Sequence, residues 1–570
     1  MTLGGVMVSL MSYATAKSWA DQISLSGNAH RFTPVLFRKI KDQTLWMIPL
    51  LVLLIVSLAM FRRKLENWLA ENLPKKESWA NLKNSLALSR FEACWLLLLV
   101  LVGIVFRLVS MQGIMKWDES LSYLQYARSP WVAISVYIPD ASNHVFHTLL
   151  VSLITRLLGD SYWSIRSVDF FFGILLIPTI FFVARSIGKG RSFSMGWLSA
   201  AIVTAYPLFC EYSANARGYT LQIFLGLLMW VLVVQIYQGR KDLLLVLGAT
   251  TALVLWTNVT SLYLFVGVSC ALLGGVLHGR VRGTDLLLYF ISAGILSFLL
   301  WSPVLVVSGL TSILASPEAN PVSSGIHINP VLLRFQYLRD IVSLSLGWPG
   351  GLLLIILPWA VGVIKAPLAW RWIIVGHFLS ILLVTNVFSA TPPVRIWLFV
   401  LPLVAMMVDQ GLQIFLSMSK GLYKRSGLIV GLLSIAYAAW VLPQVLDYGP
   451  GHKEISHFAQ LVSREWSKGQ AIEIRVEKSR LQKNPTGRDY YNPHMVRYYL
   501  ERQGIPDAAF RWRDRLQSDF IWLISVQTEG SPPPGIAKKQ SPWEVVVSPY
   551  VLDKHGIRAS DRAKLATVNQ

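Results

Sequence analysis

Apolar runs of about 16 to 22 residues recur along the first 446 positions, "WLLLLVLVGIVFRLVSM" and "GLLLIILPWAVGVI" among them. About 20 residues of α-helix cover the roughly 30 Å hydrocarbon core of a bilayer and satisfy their own backbone polar groups there. No soluble architecture needs so many such runs, and the chain reads as an all-α polytopic membrane bundle. Only 15% of the 570 residues are charged and the mean hydropathy is +0.49, where a soluble chain carries about 25% charged residues. The 22 Trp and 20 Tyr fit belts at the membrane–water boundary. A net charge of +21 suggests nucleic acid in a soluble protein. Here the basic residues fall in short loops between apolar runs, where they set orientation and meet anionic headgroups, so no nucleic-acid partner is expected. Cys94, Cys210 and Cys270 lie in or beside apolar runs, with no metal-site or disulfide spacing.

Charge also orders the loops. "RSIGKGRS", "QGRKD", "HGRVRGTD", "IKAPLAWR" and "SKGLYKR" are strongly basic, whereas "EYSANARGY", "NVTSLY", the 306–345 loop and "SATPPVR" are poorer in Lys and Arg. Placing the basic loops in the cytoplasm gives expected spans at 93–111, 166–184, 193–210, 218–237, 242–257, 260–277, 285–305, 346–364, 371–388, 395–416 and 426–446. A further run at 44–61 makes twelve, for about 11–12 transmembrane helices in all. The run "HVFHTLLVSLITRLLG" (144–159) is short and carries Arg156 and two His. Were it to cross, every later loop would invert, so it is expected to lie at the outer interface. Three regions follow: 1–92 with a basic segment and the possible extra helix, a membrane domain over 93–446 whose first outer loop is 112–165, and 447–570. The last is polar, with strand-like "AIEIRV", "FIWLISV" and "WEVVV" and helix-like "EISHFAQLVSREW". It reads as a small α/β extramembrane domain on the outer side.

The outer-facing connections collect a selected set of residues: Lys116, Asp118, Glu119, His144, His147, Arg166, Glu211, Arg217, Tyr219 and Arg395. Each has a plainer reading. A lone Arg at a span end fits snorkelling to headgroups, adjacent acids fit a solvated loop, Glu211 fits a partner for Arg217, and the His pair at i, i+3 fits a structural role. Together, a carboxylate pair and two arginines supply the chemistry for moving a group off a lipid phosphate. A carboxylate accepts the proton of an attacking hydroxyl or amine, and guanidinium groups hold the phosphate and the charge it develops.

The order and wording of these motifs resemble the GT-C superfamily of integral membrane glycosyltransferases, in particular the branch of protein O-mannosyltransferases and the lipid A aminoarabinose transferase. The resemblance rests on "WDESLSYLQYA", "NHVFHTLLVSLITRLLGDSYWSIRSVDFFFG", "NARGYTLQ" and "PVRIWLFVLPLV", and covers roughly 93–450. The family's His-Pro-Pro is here His144-Val145-Phe146, and its Arg-Tyr is Arg395-Ile396. The resemblance implies a polyprenyl-phosphate-linked sugar donor, a lipid, glycan or protein acceptor, and transfer at the extracytoplasmic face of the inner or plasma membrane with inversion. It implies Asp118 as general base, Glu119 orienting the acceptor or tuning Asp118, and Arg217, Arg395 and Tyr219 at the donor phosphate. Lys116, His144, His147, Arg166 and Glu211 are further candidates for the substrate site. No cofactor is expected; a divalent metal would want a second acidic motif in a later outer loop, and the 306–345 loop offers only Glu318 and Asp340. Two alternatives stay open: a polymerase or ligase of lipid-linked glycans, and a lipid-sugar flippase or transporter.

Overall fold

A computed structural model describes residues 10–23, 33–60, 62–63, 66, 88–136, 143–187, 195–307, 351–387, 394–446, 456, 459–460, 463, 471–474, 493–505, 510–511, 520–524, 545–547, 550–553 and 556–559. Most of the basic 62–93 segment, the 306–345 loop, "SATPP" and the helix-like stretch at 454–466 lie outside them. The chain divides into two units, Met1–Leu108 with Ser129–Val445, and Val109–Arg128 with Leu446–Gln570.

The first unit is a helical bundle. Among the described residues eight helices are long and apolar enough to cross a membrane: Ile40–Ser57, Arg90–Ser110, Tyr162–Ile187, Tyr219–Tyr237, Val259–Leu277, Gly283–Val307, Val400–Ser417 and Ser426–Pro443. The chain is an integral multi-pass membrane protein. The four remaining expected spans fall on helices outside that set: Trp197–Ala205 with Pro207–Tyr212, Leu244–Thr257, Gly351–Lys365 and Leu368–Val387. The first of these is interrupted because Pro207 has no N–H to give the Val203 carbonyl four residues back. Arg107 supplies it instead. Its guanidinium donates to the Val203 and Thr204 carbonyls at 3.0 and 3.1 Å, to Gly103 O at 3.1 Å and to Ser213 Oγ at 3.1 Å. This buried cation therefore holds three backbone carbonyls and the Ser213 hydroxyl, the kind of pairing that a charge inside a bundle needs.

The packing fixes helix directions. Glu92 caps Ser89 and pairs with Arg185 at 3.1 Å, while a methyl added at Gly103 would meet Ile177 and one at Gly173 would meet Arg107. Residues 92, 103 and 107 thus face 185, 177 and 173, so Arg90–Ser110 and Tyr162–Ile187 run antiparallel. Residues 111–161 connect these two helices in the chain. The Val145–Leu158 helix in that stretch is about 21 Å long at 1.5 Å per residue and is shorter than the eight candidate spans. It is also inside out by soluble standards: His147, Thr148, Ser152 and Thr155 are buried, while Leu157 and Leu158 are exposed. At the bundle's opposite end the basic loops meet. Lys241 pairs with Asp285 at 3.2 Å, and His278 packs edge-on against Trp372.

Small residues allow the closest helix approach. A Cβ on Gly411 would lie 1.7 Å from the Pro358 carbonyl and one on Gly362 1.9 Å from that of Met407, so Gly351–Lys365 and Val400–Ser417 touch backbone to backbone. Leucines on outward faces, Leu428, Leu432 and Leu433 for example, stay exposed, which suits lipid rather than water.

In the second unit, the strand-like sequences do form strands. Ala471–Ile474 is the centre of a parallel sheet, with Ile472 opposite Phe510 on one side and Trp522 on the other. Val545–Val547, Tyr550–Asp553 and Gly556–Ala559 form an antiparallel meander. The Pro493–Arg502 helix packs on residues of 109–128. Tyr499 accepts the Met115 N–H at 3.1 Å, Tyr498 meets Tyr123 edge to face, and Glu501 pairs with Arg128 and, at 2.5 Å, with Arg497.

Candidate active site

The acid pair sits in this second unit, on the short helix Trp117–Ser122. Its two members do different work. Glu119 is fully buried, and its carboxylate turns back to accept the Lys116 backbone N–H at 3.2 Å. A carboxylate at the third helical position satisfies an orphan donor of the first turn and meets the positive end of the helix dipole. Asp118, one position earlier, is only partly buried, and its backbone carbonyl accepts Ser122 Oγ at 2.7 Å. The helix runs into a single π-helical turn, Tyr123–Ala127, a wide backbone geometry that is rare and tends to occur at functional sites. Lys116 is the N-cap residue.

The other candidates lie in the bundle, at the end where Arg90–Ser110 finishes. Asp169 organises them. Fully buried on Tyr162–Ile187, it takes the His147 ring on Oδ2 at 2.5 Å and the Gly218 N–H and Thr220 hydroxyl on Oδ1 at 3.1 and 2.9 Å. With the carboxylate as acceptor, the ring donates from Nε2. Gly218 has φ +67°, and a side chain there would strike His147 at 2.9 Å, so only glycine fits this turn. Arg217 precedes it and is buried. Tyr219 follows it, edge-on to His144 at 5.5 Å and to Tyr212 at 5.0 Å.

His144 caps the Val145–Leu158 helix and is buried. Burial first, then the charges of Arg217, the neighbouring His147 and Arg395, push its pKa well below the ordinary histidine value, against an opposing hydrogen bond to the Arg217 backbone. It is neutral at pH 7. These couplings bring Arg217, Arg395, His144 and Tyr219 into one cluster, although the sequence separates the two arginines by most of the bundle. Arg395 stands on the 3₁₀ turn Val394–Trp397. Arg166 is buried with its guanidinium over the Tyr162 ring at 5.6 Å. Glu211 lies in the last turn of the short Pro207–Tyr212 helix, half-buried. Neither is among the groups that shape the His144 environment.

Asp169 is legible in the sequence as an ionisable group inside a span: a lone acid three residues after Arg166 in an otherwise apolar helix demands a partner inside the bundle. Its partners, His147, Gly218 and Thr220, are not, because they come from other stretches of the chain. A further buried carboxylate of the bundle, Asp409, receives the Gly196 and Ser199 N–H groups and the Ser199 hydroxyl on one oxygen and so caps the Trp197–Ala205 helix. Among the described residues no group of three or more His, Cys, Asp and Glu side chains is placed to hold a metal ion.

No protein-family model matches the sequence, and no curated protein matches it. Among solved structures the chain is similar to ArnT from Cupriavidus metallidurans bound to undecaprenyl phosphate, with a TM-score of 0.47 and 13% identity over 71% of this chain and 84% of that one. The apo state of the same protein gives 0.46 and 14% over 72% and 84%. The archaeal oligosaccharyltransferase AglB from Archaeoglobus fulgidus, in complex with an inhibitory peptide and a dolichol-phosphate, gives 0.42 and 12% over 78% and 63%.

Proposed function

We propose that this chain is a membrane glycosyltransferase that moves a sugar from a polyprenyl-phosphate donor to a lipid, glycan or protein acceptor at the extracytoplasmic face. The observation that carries the reading is the cluster of Arg217, Arg395, neutral His144 and Tyr219 at one end of the bundle. Two buried or half-buried cations next to an uncharged imidazole form a pocket of positive potential, and a lipid phosphate is an anion that reaches such a place from the membrane. Guanidinium groups bind it through paired N–H donors and stabilise it as a leaving group.

In the reaction, an acceptor hydroxyl or amine attacks the anomeric carbon from the face opposite the phosphate. Its proton passes to the Asp118 carboxylate. The carbon–oxygen bond to phosphate breaks, the electron pair leaves with the polyprenyl phosphate, and the configuration at carbon inverts. The partial exposure of Asp118 supports it as the base, since Glu119 is committed to its own helix. No metal enters this scheme.

Transfer of labelled sugar in proteoliposomes tests the assignment. Asp118→Asn is expected to lower kcat by about a hundredfold or more while leaving donor affinity intact; a variant that inserts and transfers at the wild-type rate removes Asp118 as base. Arg395→Ala is expected to weaken undecaprenyl phosphate binding by about tenfold or more, and unchanged affinity removes it from the phosphate site. The same assay separates a transferase, which leaves sugar on an acceptor, from a flippase, which moves intact lipid across.

A further inference from the structure

The bend at 213–218 carries Arg217, and both of its ends are fixed to one helix. At its start, Ser213 lies so close over Gly173 that a methyl there would sit 2.1 Å from Ser213 Oγ. Arg107 donates to that same oxygen at 3.1 Å. At its end, one helical turn earlier on the same helix, Asp169 holds the Gly218 N–H and the Thr220 hydroxyl on one carboxylate oxygen and the His147 ring on the other. The anchored N–H belongs to the peptide that joins Arg217 to Gly218, so any shift at Asp169 moves the Arg217 backbone directly. His147, in turn, lies on the helix that His144 caps.

We infer that Asp169, braced by His147, is a positioning residue that sets the 213–218 bend so that Arg217 meets the lipid phosphate. This rests on the reading that Arg217 holds that phosphate. Asp169 touches no substrate in this account; it acts through the backbone of its neighbour. A buried carboxylate with three fixed donors has a single orientation, and a guanidinium placed by it is pre-organised rather than ordered on binding, which improves affinity by removing an entropic cost.

The test is a double-mutant cycle on undecaprenyl phosphate binding to the full-length protein in nanodiscs, with the dephosphorylated polyprenol as control. Arg217→Ala and Asp169→Ala are each expected to weaken phosphate-lipid binding by about tenfold or more, and the double variant to bind no worse than Arg217→Ala alone. Polyprenol binding stays unchanged throughout. A purely structural Asp169 lowers the melting temperature but gives additive affinity losses, and additivity overturns the inference. If Arg217→Ala weakens binding while Asp169→Ala does not, the positioning role falls and the phosphate site stands. If Arg217→Ala has no effect, the phosphate reading itself falls and takes the inference with it. Should Asp169→Ala fail to fold, Thr220→Val removes one of the three donors at nearly constant volume. Its expected loss of about threefold, again absent in the Arg217→Ala background, then decides the matter, and an unchanged affinity overturns the inference.

Discussion

Burial and two guanidinium groups act in the same direction on His144, and this gives the protein a defined response to acid. Its folded pKa lies well below the unfolded value of 6.5, so below about pH 6.5 the unfolded chain binds a proton at this site that the folded chain does not. The stability that neutral His144 contributes is complete above that pH and is lost as the pH falls toward the folded pKa. The melting temperature is therefore expected to drop between about pH 7 and pH 5, and His144→Asn to flatten this slope relative to wild type; a variant with the same pH profile would exclude His144 as the titrating group. The two carboxylates at 118 and 119 also differ at this scale. Adjacent in sequence, they suggest a matched pair, yet helix geometry sends position 119 back onto the Lys116 N–H, while 118 stays partly exposed. Sequence spacing alone carries that distinction only if the helix start is already known.

Helices were legible wherever an apolar run was uninterrupted. The break at Tyr206-Pro207 was not foreseen, because 193–210 is apolar enough to pass as one span, and a proline near a span's end costs little in a composition count. Its repair was less visible still, since the donor comes from Arg107 about a hundred residues earlier. This arginine replaces the bond that proline cannot make and also fixes Ser213. Arg107→Ala leaves the Val203 and Thr204 carbonyls without that donor inside the bundle, at about 1–3 kcal/mol per orphaned group. The thermal midpoint in detergent should fall by several degrees. Arg240→Ala breaks only the local pair with Asp242 near a loop and should change it little. Equal effects of the two substitutions would show that Arg107 does not hold the corner.

At the scale of the whole molecule, the candidate residues divide between two units. Arg217, Arg395, His144 and Tyr219 belong to the bundle, while Lys116, Asp118 and Glu119 belong with the C-terminal residues. The sequence could place strands at 471–474 and 520–524 from their β-branched and aromatic content. It could not reveal that 109–128 packs on the Pro493–Arg502 helix, because the contacts join residues 384 positions apart and have no local signature. Since Tyr499 and Glu501 hold the two ends of the segment that carries Asp118, the C-terminal residues have a specific task if Asp118 is the base. Combining Tyr499→Phe with Glu501→Gln removes the acceptor for the Met115 N–H and the charge that pairs with Arg128 and Arg497. Each lost contact is worth about 1 kcal/mol or more, and a base displaced by about 1 Å can lose up to about a hundredfold in rate. The double variant should therefore transfer sugar at a much lower kcat while binding undecaprenyl phosphate as wild type does, because the arginines proposed for the phosphate sit in the other unit. A fall in lipid affinity equal to the fall in kcat would mean that the contacts of Tyr499 and Glu501 serve donor binding rather than the base, and that this division of labour is wrong.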